Sequence, residues 1–180
     1  MVAQGKVGLE IVTPKGRALG IEADEVNAPS IDGEFGILPG HLPMLASLRA
    51  GIVSYRDGSE WKRCAVGAGF VEVASDRVLL LTDEFTERPA IDPVIVRKEL
   101  ADVQADIQKT ETLASDPRAT EAVARLRGLI ERENWLAAQL ELYGDPPPPT
   151  MRPYEEYGPA PIDETAGEPG AETTETGGSS

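Results

Sequence analysis

The chain has 180 residues, 41% of them hydrophobic but only 5% aromatic, with one histidine, one cysteine and a formal net charge of −14. That length suits one ordinary domain or two small ones with an aliphatic core, and the charge excludes nucleic acid as a partner, since phosphate binding needs clustered Lys and Arg. A lone Cys64 excludes an internal disulfide framework and fits a reducing compartment; no apolar run nears the ~20 residues of a membrane span, and MVAQGKVGLE lacks the pattern of a secretory signal.

Val7, Leu9 and Ile11 alternate with Gly8, Glu10 and Val12, the period of a strand with one face buried, and Thr13-Pro14-Lys15-Gly16 reads as the following turn. In residues 18–28, Ile21, Ala23 and Val26 flanked by acids predict short strands at a solvent edge. Next comes GEFGILPGHLPMLASLRAG, from Gly33 to Gly51, with four glycines, two prolines and the single histidine, His41. Gly36, Pro39 and Gly40 are turn residues, and the prolines argue against a helix up to Pro43. Ile37, Leu38, Leu42, Met44, Leu45 and Leu48 call for burial, so the stretch reads as a tightly shaped loop packed on its own side chains.

Gly51–Arg56 and Glu60–Val66 flank Asp57-Gly58, a strong hairpin signal, and Phe70–Val73 pairs similarly with Val78–Thr82 around Ser75-Asp76. Short strands spaced in this way predict an antiparallel β-sandwich or barrel ending near Phe85. The pattern changes at Pro89. Asp92 before Pro93 places an N-cap acceptor ahead of the favoured first helical residue, and Val96, Leu100, Val103 and Ile107 recur at helical spacing over about 20 residues. Ser115-Asp116-Pro117 repeats that chemistry. A second helix is expected from Pro117 to Tyr143, with Ala119, Ala122, Leu126, Leu129, Leu136, Leu140 and Tyr143 as its apolar stripe and Gly144 closing it. Gly128 in its middle costs about 1 kcal/mol relative to alanine.

Two helices so joined should lie antiparallel, and their small common core predicts that the pair leans on the β domain or on a partner and is able to leave it. From Gly144 onward Pro, Gly, Glu, Thr and Ser dominate, eight acids oppose one base, and half of the net charge is concentrated there; such a segment is expected to be disordered. The chain thus reads as α+β by segregation: a sandwich over residues 1–87, an antiparallel helical hairpin over 88–144 and a Pro/Glu-rich tail over 145–180. Catalysis is not expected. One histidine cannot complete a nucleophile triad with any recognisable serine or with Cys64, one His and one Cys are no zinc set, and Gly67-Ala68-Gly69 leads into a strand, the wrong context for a phosphate loop.

GEFGILPGHLPML followed by SLRAGI, together with Val66-Gly67-Ala68-Gly69-Phe70-Val71-Glu72-Val73, resembles the epsilon subunit of the F-type ATP synthase, and the likeness runs from Val7 to about Tyr143. The resemblance implies a non-catalytic rotor subunit, peripheral on the cytoplasmic face of the cell (inner) membrane. Its sandwich would bind the gamma subunit on one side and the polar loops of the membrane c-ring on another, coupling proton flow to rotation. Its hairpin would either fold against the sandwich or extend toward the alpha and beta subunits and inhibit ATP hydrolysis.

By position, the c-ring contact would fall on Ser30, Ile31, Asp32, Gly33, Glu34 and Phe35, with His41 nearby; Asp32 and Glu34 would meet polar or basic groups, and exposed Ile31 and Phe35 would anchor the contact. Some members bind ATP through Ile or Leu, Asp, two variable residues, Arg and Ala. Here Ile91-Asp92 matches, Ile95 and Val96 stand where Arg and Ala belong, Arg132 matches one arginine of the second helix and Gly128 replaces another. Asp92 and Arg132 are therefore the remaining nucleotide candidates, and ATP binding is expected to be weak or absent, with no other cofactor and no metal. The acidic tail predicts inhibition that is reduced or tuned. The rival reading is a free-standing β-sandwich sensor whose hairpin closes over a small ligand.

Overall fold

Alternating apolar residues separated mostly by two-residue turns build ten strands among the described residues. The computed structural model describes residues 5–114 and 120–148; the Ser115-Asp116-Pro117 junction and the tail from residue 149 onward, expected to be disordered, lie outside them. The strands are β1 (Val7–Thr13), β2 (Gly16–Ala23), β3 (Glu25–Ser30), β4 (Gly33–Ile37), β5 (Met44–Leu48), β6 (Gly51–Asp57), β7 (Glu60–Val66), β8 (Gly69–Ala74), β9 (Arg77–Thr82) and β10 (Phe85–Thr86). They run in the order β10-β7-β6-β3-β5-β8-β9-β1-β2, with β4 paired onto β3. The sheet curls so that β1 and β2 come to face β3 and β6. Between the layers Leu9, Ile11, Val26, Ile37, Val53, Val66, Val71 and Leu80 are almost fully excluded from solvent.

Four expectations need correction here. The sheet is not wholly antiparallel: Gly8–Val12 lies parallel to Arg77–Leu81, because β1, paired on one edge with its hairpin neighbour β2, takes the late strand β9 on the other. β3 is interior, with Val26 and Ala28 fully buried; its flanking acids misled, since Glu25 is offset by Arg56 at 3.6 Å. The tight turn is Gly58-Ser59, one residue later than read, because Asp57 still pairs with Glu60; Gly58 takes φ 65° at the first turn position, where the hairpin geometry demands glycine. The glycine-rich stretch is mostly strand. β4 and β5 take up most of it, residues 38–43 and 49–50 are loop, and Leu38, Leu42 and Leu45 are 52%, 79% and 71% exposed rather than packed inward.

A 3-10 turn (Arg88–Ala90) leads to α1 (Pro93–Ala114) and α2 (Thr120–Tyr143). Asp92 caps α1: its Oδ1 accepts the N–H groups of Val94 at 3.0 Å and Ile95 at 3.3 Å. Gly144, at φ 106°, ends α2, and the Asp145 N–H reaches back to the Leu140 carbonyl at 2.9 Å, a Schellman closure. The two helices pack on each other, and α2 lies over β6 and β7. A second apolar core forms there from Ala50 and Ala65 of the sandwich and Ile91, Val96, Leu100, Trp135, Leu136, Ala138, Leu140 and Leu142. This second contact explains two departures in α2: Trp135, Ala138 and Leu142 are buried although off the expected stripe, while Tyr143 is 37% exposed and lies under the Arg88 guanidinium at 5.7 Å. Gly128 has no atom within 4 Å of the Cβ it lacks, so no close helix crossing requires it.

Candidate interaction site

The β3–β4 turn is built by Ser30, whose Oγ accepts the Asp32 N–H at 3.1 Å and whose carbonyl accepts Arg49 Nε at 3.2 Å. Gly33 follows at φ 127°, a conformation that a side chain would strain. Asp32, Gly33 and Glu34 are exposed at this tip, whereas Ser30 is buried and Ile31 half-buried. Phe35 is not an exposed anchor: it sits opposite buried Ala28 and packs on the sandwich core. His41 is not beside the turn either. It belongs to the loop at the far end of β4, some 15 Å along a strand of that length. There its Nδ1 approaches the Leu42 carbonyl at 2.8 Å and its N–H donates to Leu38 at 3.0 Å. Asp76, in the β8–β9 turn, fixes the same loop by accepting the Gly40 N–H at 3.0 Å. The seven expected residues therefore divide between two ends of β4.

Sequence reasoning missed a third feature. Ser47, Phe70, Leu81 and Val12 form one cross-strand row on the outer face of β5, β8, β9 and β1, with Leu45 on the same face. Phe70 is 55% and Leu81 47% exposed. Alternation was the available signal: Val71 and Val73 point inward, which sends Phe70 out. Leu45, Phe70 and Leu81 thus gather exposed apolar side chains on one strand face. The hairpin lies instead over β6 and β7.

The two nucleotide candidates are already engaged. Asp92 is the α1 cap, and Arg132 donates from Nε and Nη2 to Glu99 and from Nη1 to Glu84. An open groove of about 400 Å³ beside β1 and β2 is lined by Glu10, Arg17, Glu22, Asp76 and Arg77, but Arg77 is paired with Glu10 at 2.6 Å. Burial, with a smaller push from Glu87, raises the Cys64 thiol to about 12 and removes it as a nucleophile. Burial likewise raises Tyr55, and Lys62 and Lys6 hold the Asp57 carboxyl below its usual range. Among the described residues no group of three or more His, Cys, Asp or Glu is suited to a metal, and no helix is long and apolar enough to cross a membrane.

Residues 6–88 match the family described as ATP synthase, Delta/Epsilon chain, beta-sandwich domain. The ATP synthase epsilon chain 2 of Syntrophotalea carbinolica is 42% identical over 104 residues, 58% of this chain and 75% of that one. The ATP synthase epsilon chain of Anaeromyxobacter sp. (strain K) is 38% identical over 123 residues, 66% of this chain and 93% of that one. Among solved structures, a chain in the cryo-EM structure of the Euglena gracilis mitochondrial ATP synthase (OSCP/F1/c-ring, rotational state 1) aligns with a TM-score of 0.60 at 19% identity, covering 76% of this chain and 80% of that one, a likeness of fold.

Proposed function

The chain belongs to the family of ATP synthase epsilon chains, and from that premise we propose that it is a non-catalytic subunit of the central stalk of a proton-translocating F-type ATP synthase, peripheral to the membrane that carries the c-ring. The outer face bearing Leu45, Phe70 and Leu81 is the seat of the gamma subunit, and the His41 loop borders it. The tip formed by Asp32, Gly33 and Glu34 meets the c-ring loops. A subunit that transmits torque between two neighbours needs two separate contact surfaces; here one is the outer strand face and the other the turn at its border, where the Ile31 N–H donates to the Ser47 carbonyl at 3.2 Å. The hairpin, resting on β6 and β7, regulates ATP hydrolysis by leaving that seat for the catalytic head. ATP is not its ligand, because Arg132 is spent on carboxylates and Asp92 on a cap.

The observation that carries this reading is the exposed apolar row on a face that the hairpin leaves uncovered. Its test is association with the candidate gamma subunit by size exclusion. A one-to-one complex is expected; Leu45→Asp with Phe70→Asp should abolish it, since charge inserted into an interface core is left unpaired, and Glu34→Lys should leave it intact. No complex between two folded chains, or loss through Glu34→Lys alone, overturns the assignment.

A further inference from the structure

We propose that Arg132 is the latch of the hairpin, shared between one carboxylate that travels with the hairpin and one that stays on the sandwich; this rests on the hairpin being the movable part of the subunit. Glu99 is on α1, so its bonds to Arg132 Nε at 2.9 Å and Nη2 at 2.5 Å join the two helices to each other. Glu84 is on the sandwich. Its carbonyl accepts the Gly67 N–H at 2.8 Å and the Thr82 hydroxyl at 3.1 Å, which ties that backbone to the sheet, while its carboxylate accepts Arg132 Nη1 at 2.9 Å.

The apolar part of the attachment sets Ala50 and Ala65 of the sandwich, with Ile52 partly buried beside them, in one core with Trp135, Leu136, Ala138, Leu140 and Leu142 of α2; that burial is non-directional, so the polar contacts decide where the hairpin latches. Another bridge from the sandwich to α2, Arg63 to Glu141, is longer and more exposed, at 3.4 Å with side chains 47% and 53% exposed against 2.9 Å with 37% and 44% for Arg132 and Glu84, and so contributes less. Arg97 pairs with Asp145, but both move with the hairpin. Between the two units the chain passes through β10 and the Pro89-containing 3-10 turn, where a change of direction strains no helix.

The sharing makes release inexpensive in charge. When the hairpin departs, Arg132 keeps Glu99, and Glu84, already 44% exposed, passes into water. No buried ion is stranded in the open state. The Arg132–Glu84 bond is therefore the polar contact whose loss frees the hairpin whole, whereas loss of Glu99 loosens the helices from each other. Being near the surface, the latch weakens as salt screens it.

The test uses the full chain carrying Ala138→Cys as a reporter. Ala138 is 4% exposed in the seat between hairpin and sandwich, and Cys64, 1% exposed inside the sandwich, reports global unfolding. Labelling of each thiol by a soluble disulfide reagent is followed with time. Glu84→Ala should speed labelling at residue 138 roughly three- to tenfold with Cys64 still protected. Glu99→Ala should change it less than about twofold, because Arg132 retains Glu84. About 1 M NaCl should bring the reporter chain with Glu84 intact toward the Glu84→Ala rate and leave Glu84→Ala itself unmoved. An unchanged rate in Glu84→Ala, an equal rise in both variants, or labelling of Cys64 in step with residue 138 overturns the latch. Gamma binding is read separately: a chain that latches but binds no gamma subunit sinks the rotor reading alone, and one that binds gamma with its Glu84→Ala rate unchanged sinks the latch alone.

Discussion

Replacing Asp92 separates a structural cap from a ligand-binding acid. Asp92→Ala removes the acceptor of two N–H groups, those of Val94 and Ile95. Cap losses of this kind cost about 1 kcal/mol, and the negative charge at the helix N-terminus adds roughly 0.3 kcal/mol at an exposed site. Pro93 has no N–H to lose, so the loss is confined to those two donors. A total of about 1.3 kcal/mol, with a urea slope near 2 kcal/mol per molar for a chain of this size, moves the unfolding midpoint down by ~0.6 M. Circular dichroism at 222 nm across a urea series measures it. Asp92→Asn keeps the acceptor and should lose only the charge contribution, about 0.3 kcal/mol. The argument fails if Asn costs as much as Ala, or if Ala costs nothing. ATP up to millimolar concentration should leave all three midpoints where they are; a selective rise in the chain with Asp92 would return the residue to nucleotide binding.

Gly128→Ala should stabilise the chain by about 1 kcal/mol, since the helix gains propensity and nothing lies in the path of the new methyl; a downward shift in the urea midpoint would refute it. Gly69→Ala should be severe, at least ~3 kcal/mol, because its Cβ would fall 1.9 Å from the Leu81 carbonyl oxygen in the paired strand; a soluble variant with unchanged melting would refute that. Cys64 gives the chain an alkaline limit. Its proton is retained to about 12 in the native state, against 9.0 ordinarily, so above pH 9 the unfolded chain binds fewer protons and stability falls as pH rises. That amounts to about 1.4 kcal/mol at pH 10. Cys64→Ala should flatten the decline between pH 8 and pH 10 by that amount, measured by urea unfolding at each pH, and an equal slope in both chains would remove the thiol from the account.

Alternation and turn chemistry made most of the sandwich legible. β1, β6, β7, β8 and β9 were readable because each has one buried and one solvated face, and α1 because Val96, Leu100 and Ile107 face a single neighbour. β4 was hidden by its glycines and the following Pro39: turn-forming residues suppress a strand reading even where the strand is held by pairing with β3. In α2 the stripe was only half the pattern, since Trp135 and Leu142 belong to a core that also takes in Ala50 and Ala65 of the sandwich, a contact that periodicity within one helix does not report. The surface was the least legible part. Composition calls for burial of Leu38, Leu42 and Leu45, whereas all three are exposed.

The parallel pairing of β1 with β9 fixes an order of events during synthesis. Leu9 leaves the ribosome early, but its neighbour in the ladder is Val78, so the N-terminal hairpin must wait for most of the sandwich to be translated before its second edge is satisfied. Contacts of such sequence separation slow folding through the loop that must close first. Until β9 arrives, β1 presents an unpaired apolar edge, the element of a nascent chain most open to a wrong strand or a chaperone. Only after that closure do β6 and β7 offer a finished surface for the helices, so the hairpin, last to be made, is also last to dock.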